Sequence, residues 1–235
     1  MNQGTETGRG MGISVRGIGW FTKEGYGCVR SGQEQALAPG EGAASLPKKG
    51  IFSHPFKNFG RLDAVSKSVA YAVALALQDA GIEYSPLRKQ SIGVVGTSRE
   101  GSLRTDIEYF TDYLRSGRTL SRANLFIYTL PSSPLGEAAI HFGLRGPLLY
   151  AASVSGTLLP LLDLAARMLD ADEAGCMLVG TAGEEEAAYV VLDRRSAARP
   201  SLCDIGEAKA ALAQTASVPE MVRQCSLMSA RKGVA

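Results

Sequence analysis

Histidine is scarce in this chain: 235 residues contain only His54 and His141. His54 sits in the loop-like FSHPF and His141 near the end of a helical stretch, where a protonated ring gains a little from the helix dipole. Both read as surface or helix-terminal residues, and neither belongs to a pattern that would make it a general base. The four cysteines, Cys28, Cys176, Cys203 and Cys225, fall at wide, irregular separations. That spacing matches neither a CxxC pair nor a zinc site, so unpaired thiols in a reducing compartment are expected and no metal or cofactor is. An excess of one charge is also missing, with 25 Lys and Arg against 23 Asp and Glu. No overall field points to nucleic acid or an anionic membrane surface. No stretch reaches the roughly 18 apolar residues of a membrane span, and MNQGTETGRGMG has no apolar run like a signal peptide's. The expectation is a cytoplasmic protein. The glycine-rich TGRGMG and GTSREG lack GxGxxG or a Walker pattern and read as turns.

What the chain does have is 45% apolar content, enough for one well-buried domain. Residues 1–10 read as disordered, 11–195 as the domain, and 196–235 as a polar tail with one short helix over Ile205–Gln214. Five strands are expected: Ile13–Trp20, Ser91–Thr97, Leu148–Ser153, Cys176–Thr181 and Ala187–Asp193. The last two are joined by GEEE and should form an antiparallel hairpin. Residues 21–60 show no sustained period and read as a surface excursion. Helices are expected over Asp63–Ala80, with Asp63 as N-cap and Gly81 beyond the end, and over Ser102–Ser116 and Leu135–Phe142. Another covers Gly156–Asp170, apolar on nearly all sides and so expected to be buried on all sides. Strands alternating with helices predict an α/β fold: a mostly parallel five-stranded sheet, helices on both faces, and one antiparallel edge strand.

Four segments stand in an order that resembles the N-terminal half of the β-ketoacyl synthases. RLDAVSKSVAYAVALALQDAG is similar to the family's helix after its R-D-x-x-S/A start, and SIGVVGTSREG to its IGV-x-x-GT-x-x-G strand and turn. YTLPSSPLGEAAIHFGLRGPLLYAASVSG resembles the LPN and GL-x-GP run into the nucleophile elbow. CMLVGTAGEEEAAYVVL resembles the LVGG strand and its G-E-G-A return, shortened to GEEE. The resemblance covers Arg61 to Arg194 and implies a thiolase-like three-layer half-fold. A full ketosynthase has a second such unit, so an uncovered face and association with a partner are expected.

The resemblance places Ser155, eight residues after Pro147, where the family has its acylated cysteine. A helix dipole worth about 0.3–2 kcal/mol helps a thiol ionise but leaves a serine hydroxyl protonated, so Ser155 needs a base. The family's two catalytic histidines lie beyond the resembling stretch. A serine hydrolase is the sharpest rival, but ASVSGT lacks GxSxG and no Asp-His pair follows. By the same resemblance Leu130, Pro131, Ser132 and Ser133 line the acyl-pocket mouth. A plain helix start with Ser133 as N-cap and Pro134 next fits them equally well. Leu149, Ala151 and Ser153 lie on the strand through which the family dimerises. Arg61, Lys67 and Arg145 are candidates for docking an acidic acyl carrier protein. The implied function is a non-condensing, chain-length-factor-like accessory subunit of fatty-acid or polyketide-type biosynthesis, paired with a full-length ketosynthase or a second copy of itself. The alternative is an acyltransferase or condensing enzyme that uses Ser155 with groups from a partner. A third reading is a homodimeric domain that binds a carrier protein or acyl chain without turnover.

Overall fold

Asp63 starts the first long helix by accepting a hydrogen bond from the Ser66 N–H at 2.8 Å, as an N-cap carboxylate should. Gly81 ends it with φ 65°, the left-handed turn that glycine adopts without strain. A computed structural model of the protein describes residues 12–85, 87–119, 122–152, 157–196, 199–213, 215 and 217–232. In chain order its elements are β1 (Ile13–Phe21), β2 (Gly25–Cys28), β3 (Glu34–Ala36), a 3-10 turn (Phe59–Arg61), α1 (Ala64–Asp79) and β4 (Ile92–Thr97). Then come α2 (Leu103–Arg115), α3 (Ala123–Ile127), α4 (Ser133–Phe142), β5 (Leu148–Tyr150) and α5 (Leu159–Asp170). The chain closes with β6 (Cys176–Ala182), β7 (Ala187–Arg194), β8 (Cys203–Asp204), α6 (Ile205–Leu212) and α7 (Val218–Lys232).

The strands form one sheet in the order β3-β2-β1-β7-β6-β4-β5, with β8 also paired to β1. Helices lie on both faces, as expected: α1 and α4 cover one apolar cluster, and α5, α6 and α7 cover the other. Strand number and direction differ from the sequence expectation. Eight strands are present among the described residues, and parallel pairing holds only for β4 with β5 and with β6. β7 is antiparallel to β6 as expected, but it lies inside the sheet because β1 pairs along its other side. Its AAYVVLD run is buried at every position, which suits an internal strand rather than an edge.

α1 approaches β1 very closely. A methyl group at Gly19 would run into the backbone of Ala72, Leu75 and Ala76, and one at Gly17 into Asp79 and Ala80, so both positions need the missing side chain of glycine. Asp79 locks the same contact. Its carboxylate accepts from the N–H groups of Ile18 at 2.8 Å and of Arg30 and Ser31 at 2.9 Å each. These three charge-assisted bonds offset the unfavourable placement of an acid at a helix C-terminus.

Three further expectations change. Residues 21–60 are not wholly a surface excursion: they hold β2 and β3, and Leu46, Ile51, Phe52 and Phe59 are buried in the core. The segment read as a polar tail carries its expected helix, α6, closed by a capping box between Asp204 and Glu207. It also adds β8 and α7, which bury Leu202, Val218, Met221 and Cys225. Finally, α5 is not buried on all sides. Leu161, Leu162, Ala165 and Leu169 face the sheet, while Asp163, Arg167 and Asp170 form an exposed polar stripe.

The uncovered apolar surface lies elsewhere. α2 buries only Thr105, leaving Leu103, Ile107, Phe110 and Leu114 between 45% and 58% exposed. Its main neighbour is α3, where Phe126 meets Tyr109 and is itself exposed with Ile127. No helix among the described residues is long and apolar enough to cross a membrane.

Candidate functional site

The C-terminal ends of the parallel strands β4, β5 and β6 open on one cleft of about 410 Å³. β4 connects to β5 on one side, and β5 then crosses back past β4 to β6 on the other, and the carboxyl ends of such parallel strands are where α/β sheets form ligand crevices. Thr97, which ends β4, and its registered partner Thr181, next to last in β6, stand in its wall with Tyr150 at the end of β5. The Ser98 and Tyr150 hydroxyls share a hydrogen bond at 2.9 Å. Leu130, Pro131, Pro134 and Leu135 form the side supplied by the start of α4, and Asp63, Val65 and Val69 that supplied by α1. Arg104 pairs with Glu184 at 2.8 Å and Lys23 with Glu185 at 2.6 Å. Both pairs sit at the solvent-exposed rim, where such contacts add little stability. Burial raises the Glu184 pKa, and the Arg104 guanidinium pulls it the other way.

Ser155 and Ser153 lie outside the described residues. The nearest described cleft residues on either side of them, Tyr150 and Thr157, both line the cleft. Of the four-residue segment Leu130–Ser133, Leu130 and Pro131 reach the cleft and Ser132 and Ser133 do not. α4 begins two residues before the expected Leu135 and one before the start that Ser133 as N-cap implies: Ser133 is its first residue, Ser132 is the N-cap without a side-chain capping bond, and Pro134 lies in the first turn, where its missing N–H costs nothing. Leu149 and Ala151 follow the outer strand of the sheet, Leu149 40% exposed and Ala151 half-buried. The three candidate docking cations do not converge. Arg61 precedes α1 and Lys67 lies in its first turns, near Asp63 and Val65 in sequence although neither cation lines the cleft, whereas the Arg145 N–H bonds the Gln90 carbonyl ahead of β4. One strand length, roughly 20 Å, separates that position from the cleft end.

Neither histidine lines the cleft. His141 is buried, stacked on Phe56 at 3.9 Å between ring centroids, with His54 at 4.3 Å and Tyr84 and Phe142 around it. Burial, then the neighbouring His54, lowers its pKa to about 4. All four cysteines are buried and outside disulfides, and burial pushes Cys28, Cys176 and Cys225 up to about 12. These three therefore stay protonated and unreactive. No cluster of three or more metal-ligating side chains occurs among the described residues.

The family model for the beta-ketoacyl synthase N-terminal domain matches residues 31–214, well over half of the chain. The chain belongs to the β-ketoacyl synthase family. No curated protein sequence matches it. Among solved structures, this ketosynthase-family chain is similar to "The ishigamide ketosynthase/chain length factor", with TM-score 0.60 and 21% identity over 82% of this chain and 65% of that one. It is also similar to a type II PKS ketosynthase in complex with its acyl-carrier protein (AntDE:AntF), with TM-score 0.57 and 12% identity over 84% of this chain and 62% of that one. A third is the ketosynthase ApeO in complex with its chain length factor ApeC from Xenorhabdus doucetiae, with TM-score 0.53 and 12% identity, covering 79% of this chain and 80% of that one. The chain thus spans less than two thirds of the length of the first two. At these identities the likeness establishes the thiolase-like fold.

Sequence reasoning did not single out Thr97, Thr181, Tyr189 or Glu184 as cleft residues. The GT of SIGVVGT and the GEEE return were visible as motifs. Their convergence depends on strand register, which no single segment encodes.

Proposed function

We propose that this chain is a non-condensing, ketosynthase-like accessory subunit of the chain-length-factor kind, serving fatty-acid or polyketide-type biosynthesis. The observation that carries the reading is where the imidazoles sit. Both histidines of these 235 residues are packed in an aromatic cluster away from the cleft, and the family's nucleophile position holds Ser155. An alcohol needs a base to attack a thioester at a useful rate, and neither histidine is among the residues that line this cleft. The cleft then binds and shapes an acyl chain rather than condensing it. The ketosynthase and chain-length-factor pairs among its structural relatives support the same reading.

The partner surface is the outer edge of β5 together with the apolar stripe of α2 and α3. β5 is the last strand in the sheet order, Leu148 and Leu149 are each 40% exposed, and Leu130 and Phe126 stand out at 59%. An open strand edge beside exposed apolar side chains suits strand pairing plus burial by a full-length ketosynthase or a second copy. Arg61 and Lys67, near the cleft residues Asp63 and Val65 in sequence, are the cations that suit an acyl carrier protein. Co-expression with full-length ketosynthases followed by size-exclusion chromatography tests the proposal. The expected result is a stable complex lost on Leu149→Asp. Failure of every pair to co-elute sinks it.

The second reading, an acyltransferase or condensing enzyme using Ser155 with a base from the partner, draws on the cleft residues that bracket Ser155. Incubation of the complex with acyl-loaded carrier protein and intact-mass measurement separates the two. A covalent acyl adduct abolished by Ser155→Ala favours the enzyme.

A further inference from the structure

Tyr189 on β7 is fully buried, yet its hydroxyl has no hydrogen-bond partner among the described residues. It stands in a cross-strand row, because Tyr189 registers with Gly180 of β6, Gly180 with Gly96 of β4, and Gly96 with Tyr150 of β5. Registered residues point to the same face of a sheet, so the tyrosine ring lies down across two glycines. A methyl group at Gly180 would fall inside the ring, and one at Gly96 would come within 3.2 Å of the hydroxyl and 2.6 Å of a Leu135 methyl. The row therefore carries the hydroxyl from the middle of the sheet to the wall of the cleft, where Tyr189, Leu135 and Tyr150 are all lining residues. Phenylalanine would fill the same space without leaving a buried donor unmet.

We propose that Tyr189 is a specificity-determining residue of the cleft. Its hydroxyl donates a hydrogen bond to an oxygen on the bound chain, so that the site prefers a keto-bearing acyl chain to a saturated one of equal length. Leu135, whose methyls border the same space over Gly96 as the hydroxyl, turns aside to admit that oxygen. The discrimination has the usual asymmetry of polar sites: an alkyl chain leaves the donor unpaired, and a carbonyl satisfies it. The inference rests on the reading of the cleft as an acyl-chain site and adds the chemistry of the chain.

Isothermal titration of the full chain, alone and in its ketosynthase complex, with octanoyl and 3-oxo-octanoyl thioesters of pantetheine provides the test. One neutral hydrogen bond predicts about five- to tenfold tighter binding of the 3-oxo chain. In Tyr189→Phe that ratio falls to about one, with a melting temperature equal to or above that of the parent. A ratio of one in the parent, a ratio that survives Tyr189→Phe, or binding of neither thioester overturns the proposal. Co-elution with a ketosynthase is scored separately. Pairing without a keto preference removes this inference and leaves the accessory-subunit reading, and a keto preference without pairing does the reverse.

Discussion

His141 sits beneath Phe56 and beside His54, Tyr84 and Phe142, so a proton on its ring must enter an aromatic pocket next to a second imidazole. Its pKa is about 4 in the folded chain against about 6.5 when unfolded. Between those values the unfolded chain binds more protons than the folded one, and stability rises with pH. The contribution is complete above about pH 6.5 and is lost as pH falls toward about 4, a change on the order of 1–3 kcal/mol. Urea unfolding of the parent and of His141→Asn at pH 7 and pH 4.5 checks this. The parent should lose more stability on acidification than the variant. From the sequence His141 read as a helix-terminal surface residue. Its helical position was legible, but the loop that buries it, residues 51–59, gives no periodic signal.

At the scale of elements, the contact between β1 and α1 depends on hydrogen occupying the place of a side chain. Gly19→Ala would force the helix off the strand, because the groups it meets are α1 backbone rather than flexible side-chain ends. The expected loss is about 3 kcal/mol or more, in the range of severe core overpacking, measurable as a drop in the unfolding midpoint with α1 reporting through the Tyr71 region. A neutral result would mean that β1 can shift relative to α1 without loss. Helix α1 was legible in full, since its cap, apolar spacing and terminal glycine are local. The glycines of RGIGW read as part of a short strand, and nothing local says that a helix much further along the chain presses against them. The α2 helix shows the opposite failure. Its apolar face was legible, but period alone cannot tell a face turned to the core from one left open for a partner.

For the molecule as a whole, the C-terminal segment matters more than its composition suggests. α7 buries Val218, Met221 and Cys225 beneath the face of the sheet that also holds α5 and α6. A chain ending at Ser217 should lose on the order of 5 kcal/mol, from three buried side chains worth roughly 1.5–3 kcal/mol each. That is a large fraction of the roughly 5–15 kcal/mol typical of a domain. Unchanged urea unfolding in the truncated chain would refute the estimate. The same segment explains why α5 shows no bare apolar side: α6 packs against it, α7 packs against α6, and the remaining face of α5 carries Asp163, Arg167 and Asp170.

Local chemistry was enough to determine the α/β class, most of the helices and the β6–β7 hairpin, because caps, turns and apolar periods act over a few residues, while the ketosynthase family was legible only through the resemblance of four ordered motifs. Only the tertiary structure decided that β7 lies inside the sheet, that two histidines meet in one aromatic cluster, and that Tyr189, Gly180 and Gly96 align at a cleft. Those outcomes depend on register and packing between segments far apart in the chain. Their energies arise only when the segments meet.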